Sequence, residues 1–408
     1  MKCRLVLLGA STAVLAVIAS VPLAGQAPAA ASNDAASTYT PPRTPWGAPD
    51  LEGHWRSRGN PSFERRAGET REFFTDEEIR KREENAERQN ELRRQGKQEN
   101  RGFRNQPNYN SVLGYSPEKQ KFSKRTSAII DPPDGHVPGW TLEQVKYYEY
   151  REAVTLGRGD SDWTVDRPVS ERCFGLLAQP VMANWGMAQR GAPRAFAFTA
   201  SEGTVDGGAS GGGGGAGPGG PYRLVQTQDY ITIVDPESGI GGGMAGSRII
   251  PLDGRPALSK KFRSWMGVSR GHWEGNTLVV VTTNVQYPGP VITSYGGNYP
   301  GTGETLTLTE RFTRTGPDKM EYRYTVDDPG VYVRPYTALY EMTLDDSYKI
   351  SYILCHEGHD DMPSALQSGR NDEANATENA NDTRILRAPR LKEIKEEAIK
   401  AAEAMKTR

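Results

Sequence analysis

The sequence predicts a mainly β protein, an antiparallel barrel or curled sheet of lipocalin-like kind, with N-terminal helical decoration and a C-terminal helix. Three observations carry that expectation. Three hairpin patterns follow one another between Trp265 and Cys355 with no helical period between them. Glycine and proline are abundant, 45 and 28 of 408 residues, which favours turns over long helices. Closing such a meander on itself is also the most direct way to remove exposed strand edges.

The elements follow in order along the chain. Residues 1–31 read as a secretory signal peptide. Lys2 and Arg4 supply the charged start, Leu5 to Ile18 the apolar stretch, Pro22 a break, and the small residues up to Ala31 the cleavage sites. An N-terminal membrane anchor is the competing reading, and it needs ~20 apolar residues. Cys3 precedes the apolar stretch, where a lipid-bearing cysteine would follow it. Residues 32–49 are Ser, Ala, Thr and Pro without apolar period and read as a linker. A single β-rich domain is expected over 50–370, opening on Asp50-Leu51-Glu52-Gly53-His54-Trp55, a Gly-x-Trp start common in small barrels.

Thr75-Asp76-Glu77-Glu78 is a capping box, from which a largely solvated helix runs to about Gly96. The cations after it (Arg93, Arg94, Lys97, Arg101, Arg104) are interleaved with acids and Gln and read as solvated surface. A second helix is expected from Thr141 to Val154, with Thr141 and Gln144 at its start. Ser201 to Gly220 holds eleven glycines but lacks the Gly-Lys-Ser/Thr ending of a phosphate loop, so it reads as a disordered loop extension.

Strands are expected at Tyr222–Val225 and Tyr230–Val234. The hairpins pair Trp265–Trp273 with Thr277–Asn284, Glu304–Thr315 with Met320–Val326, and Pro335–Leu344 with Tyr348–Cys355. Residues 371–408 form a polar tail in which Leu391, Ile394, Ala398, Ile399, Ala402 and Met405 recur at helical spacing.

The charge balance of 50 basic against 51 acidic side chains excludes a generally basic nucleic-acid binder and a polybasic membrane-surface protein. After leader removal no integral membrane span is expected, and the protein belongs outside the cytoplasm, in the periplasm or beyond. Oligomeric state is left open. The two remaining cysteines, Cys173 and Cys355, are most simply a disulfide in that oxidising compartment, with a metal thiolate or two buried free thiols as alternatives.

Two places can carry chemistry. In Glu304–Thr315, alternation puts Glu310 on the face of Leu306, Leu308 and Phe312, so the carboxylate points inward if that face is the core. A buried carboxylate needs partners or is driven neutral. The expected partners are Arg270 and His272, which share a face with Met266 and Val268. Arg270, His272, Trp273 and Arg311 are the ligand-contacting candidates. The second place is Cys355-His356-Glu357-Gly358-His359-Asp360-Asp361. His356 and Glu357, with Glu310, are the acid/base candidates, and His356, His359 and Asp360 could hold a divalent metal. The His spacing is not the helical zincin pattern, and no P-loop occurs. Trp265, Trp273, Tyr322, Tyr324 and Tyr352 read as barrel packing rather than a sugar platform.

Several motifs occur in order: Trp265-Met266-Gly267-x-Ser269-Arg270-Gly271-His272-Trp273-Glu274-Gly275-Asn276-Thr277-Leu278-Val279-Val280, Glu171-Arg172-Cys173 after Asp166-Arg167-Pro168, Arg248 to Pro256, Glu310-Arg311-Phe312-Thr313-Arg314, Asp327-Asp328-Pro329 and Cys355-His356-Glu357-Gly358. On these the chain resembles, over roughly residues 50–370, a large family of exported, functionally uncharacterised bacterial β-rich proteins. The resemblance implies one exported β-rich domain and no activity. The chain departs from that pattern at Thr307, where a His is usual, and at His359-Asp360-Asp361, where Asn and an aromatic are usual.

The function expected from these readings is binding of a small organic molecule in or at the mouth of the barrel. A hydrolase or lyase using His356, Glu357 and Glu310, with metal assistance in one version, is the runner-up. A cell-envelope interaction module is the third reading, and it requires an exposed apolar patch. Intact-mass analysis of protein from the native host should show a chain that has lost its leader and gains two hydrogens on reduction. A chain starting at Met1, or an unchanged mass on reduction, rejects the corresponding reading.

Overall fold

The computed structural model describes residues 39–56, 59, 61–66, 68–94, 121–154, 222–235, 246–264, 267–285, 291–292, 298–299, 304–345, 392 and 395–404. Its main body is one antiparallel sheet of ten strands, nearly closed into a barrel. These strands are β1 (Gly53–Arg56), β2 (Ile129–Asp131), β3 (Tyr222–Gln226), β4 (Tyr230–Asp235), β5 (Gly246–Pro251), β6 (Val268–Glu274), β7 (Thr277–Thr283), β10 (Thr307–Arg314), β11 (Lys319–Asp327) and β12 (Tyr336–Leu344). Two short strands, β8 (Val291–Ile292) and β9 (Asn298–Tyr299), pair with each other. The order round the sheet is β5-β4-β3-β1-β12-β11-β10-β7-β6. β1 and β2 both pair with β12, through Trp55↔Leu344 and Ala338↔Ile129 respectively.

Tight turns set the registers. Gly275, at φ 60°, opens the two-residue link between Glu274 and Thr277, the place where positive φ matches the twist of the flanking strands. Gly316, Pro317 and Asp318 turn β10 into β11, and Arg314 pairs with Met320. With register set, alternation sorts the side chains into layers. One inner layer reads Ser269, Thr282, Leu308, Val326 and Tyr336. The next is Gly271, Val280, Glu310, Tyr324 and Ala338, followed by Trp273, Leu278, Phe312, Tyr322 and Tyr340. Arg314, Met320 and Met342 finish the turn end.

That end is crossed by residues 41–51, which include 41–49 of the stretch read as linker. Gln226 accepts from the Leu51 N–H at 3.0 Å and donates to the Pro49 carbonyl at 2.9 Å. Arg314 donates to the Asp50 carbonyl at 3.0 Å, and Arg43 reaches Asn276 at 2.7 Å. Near the opposite end of β12, Trp140 bridges to Tyr332, and Thr141 starts α2 (Leu142–Val154), capping the Gln144 N–H at 3.1 Å. The expected capping box is formed at the start of α1 (Asp76–Arg94). The Thr75 N–H meets the Glu78 carboxylate at 2.7 Å, and the Glu78 N–H meets the Thr75 hydroxyl at 3.3 Å. Residues 395–404 are helical. Ala398 is buried in the core and Lys395 pairs with Glu149 of α2 at 2.7 Å, so this helix is docked.

Among the described residues no ladder joins β5 to β6, the two ends of the sheet order. They meet through side chains. Ile250 and Leu252 lean over Gly271, where an added Cβ would lie 2.9 Å from Ile250 Cγ2 and 2.6 Å from Leu252 Cδ2. Gly271→Val should therefore overpack this seam and lower stability by about 1–3 kcal/mol. Amide exchange should quicken in β5 first. Unchanged melting and unchanged exchange would mean the seam is not closed by this contact.

Candidate functional site

A charged pair lies inside the barrel at mid-height. Glu310, on β10, has 0% of its surface exposed. Its Oε1 accepts the Tyr322 hydroxyl at 2.7 Å, and its Oε2 lies 2.6 Å from Nη2 of Arg248 on β5. Glu310 is inward, as alternation predicts. Its cation is Arg248, a correction to the expected Arg270 or His272. The reason is strand parity on β6. Met266 and Val268 suggested that even-numbered positions face in, but pairing of Gly271 with Val280 turns Ser269, Gly271 and Trp273 inward and leaves Arg270 and His272 outside.

The neighbours of Glu310 in its layer are small, Gly271, Val280 and Ala338, with Tyr324 as the one large member. That leaves room at this level for a guanidinium arriving from β5 and a phenol from the layer below. An aromatic row continues from the cluster. Phe312 and Tyr322 have ring centroids 4.8 Å apart, Tyr322 and Tyr324 5.7 Å, and Tyr324 stacks on Tyr340 at 6.1 Å. Burial, reinforced by neighbouring tyrosines, pushes the Tyr324 hydroxyl well above its usual range. Burial does the same to Tyr340 and Tyr336.

The outer face collects other candidates. Glu274 accepts from Arg311 at 2.8 Å and lies 3.1 Å from His272 Nε2. These two contacts, His272 first and Arg311 second, hold its carboxyl below the usual carboxylate range. Arg270 donates to the carbonyls of Ser269 at 2.8 Å and Pro256 at 3.4 Å. Trp273, unlike these, is on the inner face and packs half-buried against the core. His272 and Arg311 therefore meet on Glu274, separated from Glu310 by the sheet itself. His356, Glu357, His359, Asp360, Cys173 and Cys355 lie outside the described residues. Among the described residues no group of three His, Cys, Asp or Glu is arranged to hold a metal.

Sequence reasoning missed Arg248 and the part played by Tyr322. Both carried a signal. Tyr322 alternates in phase with Met320, Tyr324 and Val326, and Arg248 is in phase with Ile250. The adjacent Ile249 masked the second pattern, because it places an apolar side chain on the outer face.

Chemically the cluster is a carboxylate, a guanidinium and a phenol with no net charge, able to hydrogen-bond a polar head group and set against aromatic walls. No family model, no curated protein and no solved structure matches the chain.

The buried phenols make a pH prediction. A raised folded-state pKa means the native form keeps its proton where the unfolded chain, near pH 10, loses it. The resulting stabilisation is complete below about pH 10 and is lost as pH rises beyond it. Ultraviolet titration should show these tyrosines ionising together with alkaline unfolding. Smooth ionisation of every tyrosine in a still-folded protein would contradict their burial.

Proposed function

We propose that the protein binds a small organic molecule outside the cytoplasm, with Arg248, Glu310 and Tyr322 as the polar anchor inside the barrel. The supporting observation is the Arg248–Glu310 pair itself. Taking two charges out of water costs several kcal/mol per ion, and a well-packed apolar pair of similar volume often serves stability as well or better. A barrel interior that retains such a pair gains recognition chemistry from it. The uncharged total of the cluster suits a ligand with a neutral hydrogen-bonding head, and Phe312, Tyr322, Tyr324 and Tyr340 suit a flat apolar body.

In the closed barrel Glu310 has no exposed surface, so access needs a moving part. The β5–β6 seam is the natural one, since it lacks a ladder among the described residues and β5 carries Arg248. The acid/base alternative rests on His356 and Glu357, outside the described residues, and no catalytic step is assigned here.

Protein purified from its native host should carry a small-molecule adduct in native mass spectrometry. Glu310→Gln and Arg248→Met should each lose the adduct. Each single change breaks a buried pair and should cost about 3–5 kcal/mol, while the double variant should recover stability without recovering the ligand. No adduct on the parent after exposure to host extract, or full retention by the double variant, overturns the proposal. Recovery of both stability and ligand by the double variant would leave the pair a packing element.

A further inference from the structure

The connection from β5 to β6 carries a feature the barrel does not use. From Gly254 to Ser264 it holds four cations, Arg255, Lys260, Lys261 and Arg263, and no acid. Two of them are compensated from outside, Arg255 by Asp253 and Arg263 by Glu304, the latter at 3.0 Å. Lys260 and Lys261 are exposed and have no ion-pair partner among the described residues. On either side of them Leu258 is 43% and Phe262 56% exposed.

This tip is built, not loose. Asn284, buried at the end of β7 with φ 57°, donates its side-chain amide to the carbonyls of Ser259 at 2.9 Å, Phe262 at 2.9 Å and Leu258 at 3.3 Å. The Phe262 N–H closes a turn on the Ser259 carbonyl at 2.9 Å, and Arg263 donates to the Val285 carbonyl at 3.2 Å. A buried amide thus holds three carbonyls so that a Leu and a Phe stand out in water around two uncompensated lysines. Presenting apolar side chains rigidly to solvent opposes folding stability, and it lowers the ordering cost of burying them in something else.

We propose that the Leu258–Phe262 tip docks the protein on an anionic lipid surface, with Leu258 and Phe262 entering the head-group boundary and Lys260 and Lys261 meeting lipid phosphates. Charge complementarity selects this occupant: an interfacial site pairs apolar insertion with cations that anionic lipids attract. The whole-chain balance excludes a polybasic protein, but a local pair of lysines needs no excess elsewhere. Among the described residues no helix is long and apolar enough to cross a membrane, so this attachment is peripheral.

The test is vesicle flotation of the full chain, with phosphatidylcholine alone and with about one part phosphatidylglycerol to three of phosphatidylcholine. The parent should float with the anionic vesicles and release with added salt. Lys260→Gln with Lys261→Gln should weaken binding about 30-fold, roughly fivefold per lysine. Leu258→Ser with Phe262→Ser should weaken it at least about tenfold, and both variants should melt like the parent because the altered side chains are exposed. A retained leader contributes equally to parent and variants, so their ratio reads the tip alone. Anionic vesicles should also slow amide exchange over residues 257–264. Equal binding by parent and both variants, or unchanged exchange at the tip, overturns the proposal. So does self-association of the parent that the Ser variants abolish without any loss of lipid binding, which would assign the tip to a second copy.

Discussion

The barrel depends on closing a sheet along a line where, among the described residues, no backbone ladder does the closing. β5 and β6 end the hydrogen-bonded order, and side chains join them, with Ile250 and Leu252 seated over Gly271. The Arg248–Glu310 contact spans the same line from inside, since Arg248 stands on β5 and Glu310 two strands beyond β6. Apolar contact and a buried charge pair thus do together what amide pairs do elsewhere. The seam is consequently the place where the fold and the proposed site share residues.

The charged pair is tolerated because its layer is arranged for it. Gly271, Val280 and Ala338 are small where the layers on either side carry Leu308, Phe312, Tyr336 and Tyr340. At Gly271 the space so left is taken up by Ile250 and Leu252, so a side chain there would collide with the seam. The phenol of Tyr322 supplies a directed hydrogen bond to Oε1, while Arg248 meets Oε2 as an ion pair.

The ends of the barrel are sealed by different means. The turn end is crossed by residues 41–51, fastened through the amide of Gln226 and the guanidinium of Arg314, both acting on backbone groups. Near the other end of β12, Trp140 and the start of α2 lie against Tyr332. The side of the barrel facing the β5–β6 connection is organised by Asn284, again one buried amide acting on several carbonyls. Such single polar clamps order long connections without adding apolar area.

Local pattern by itself determined the mainly β class, the two expected hairpins that lie within the described residues, both helix caps and the inward face of β10. Each of these is set by residues within a turn or two of one another: Gly275 at its positive φ, Thr75 with Glu78, Leu308-x-Glu310-x-Phe312. It misassigned β6, because Val268 and Trp273 lie on opposite parities and the choice is made by Gly271 facing Val280. Nor could it choose the partner of Glu310. Arg248 is 62 residues away in sequence and becomes a neighbour only when the sheet curls enough to bring β5 beside β6. Curvature is a property of the whole sheet, summed from the twist of every strand pair, and no local run of residues encodes where its two ends will meet.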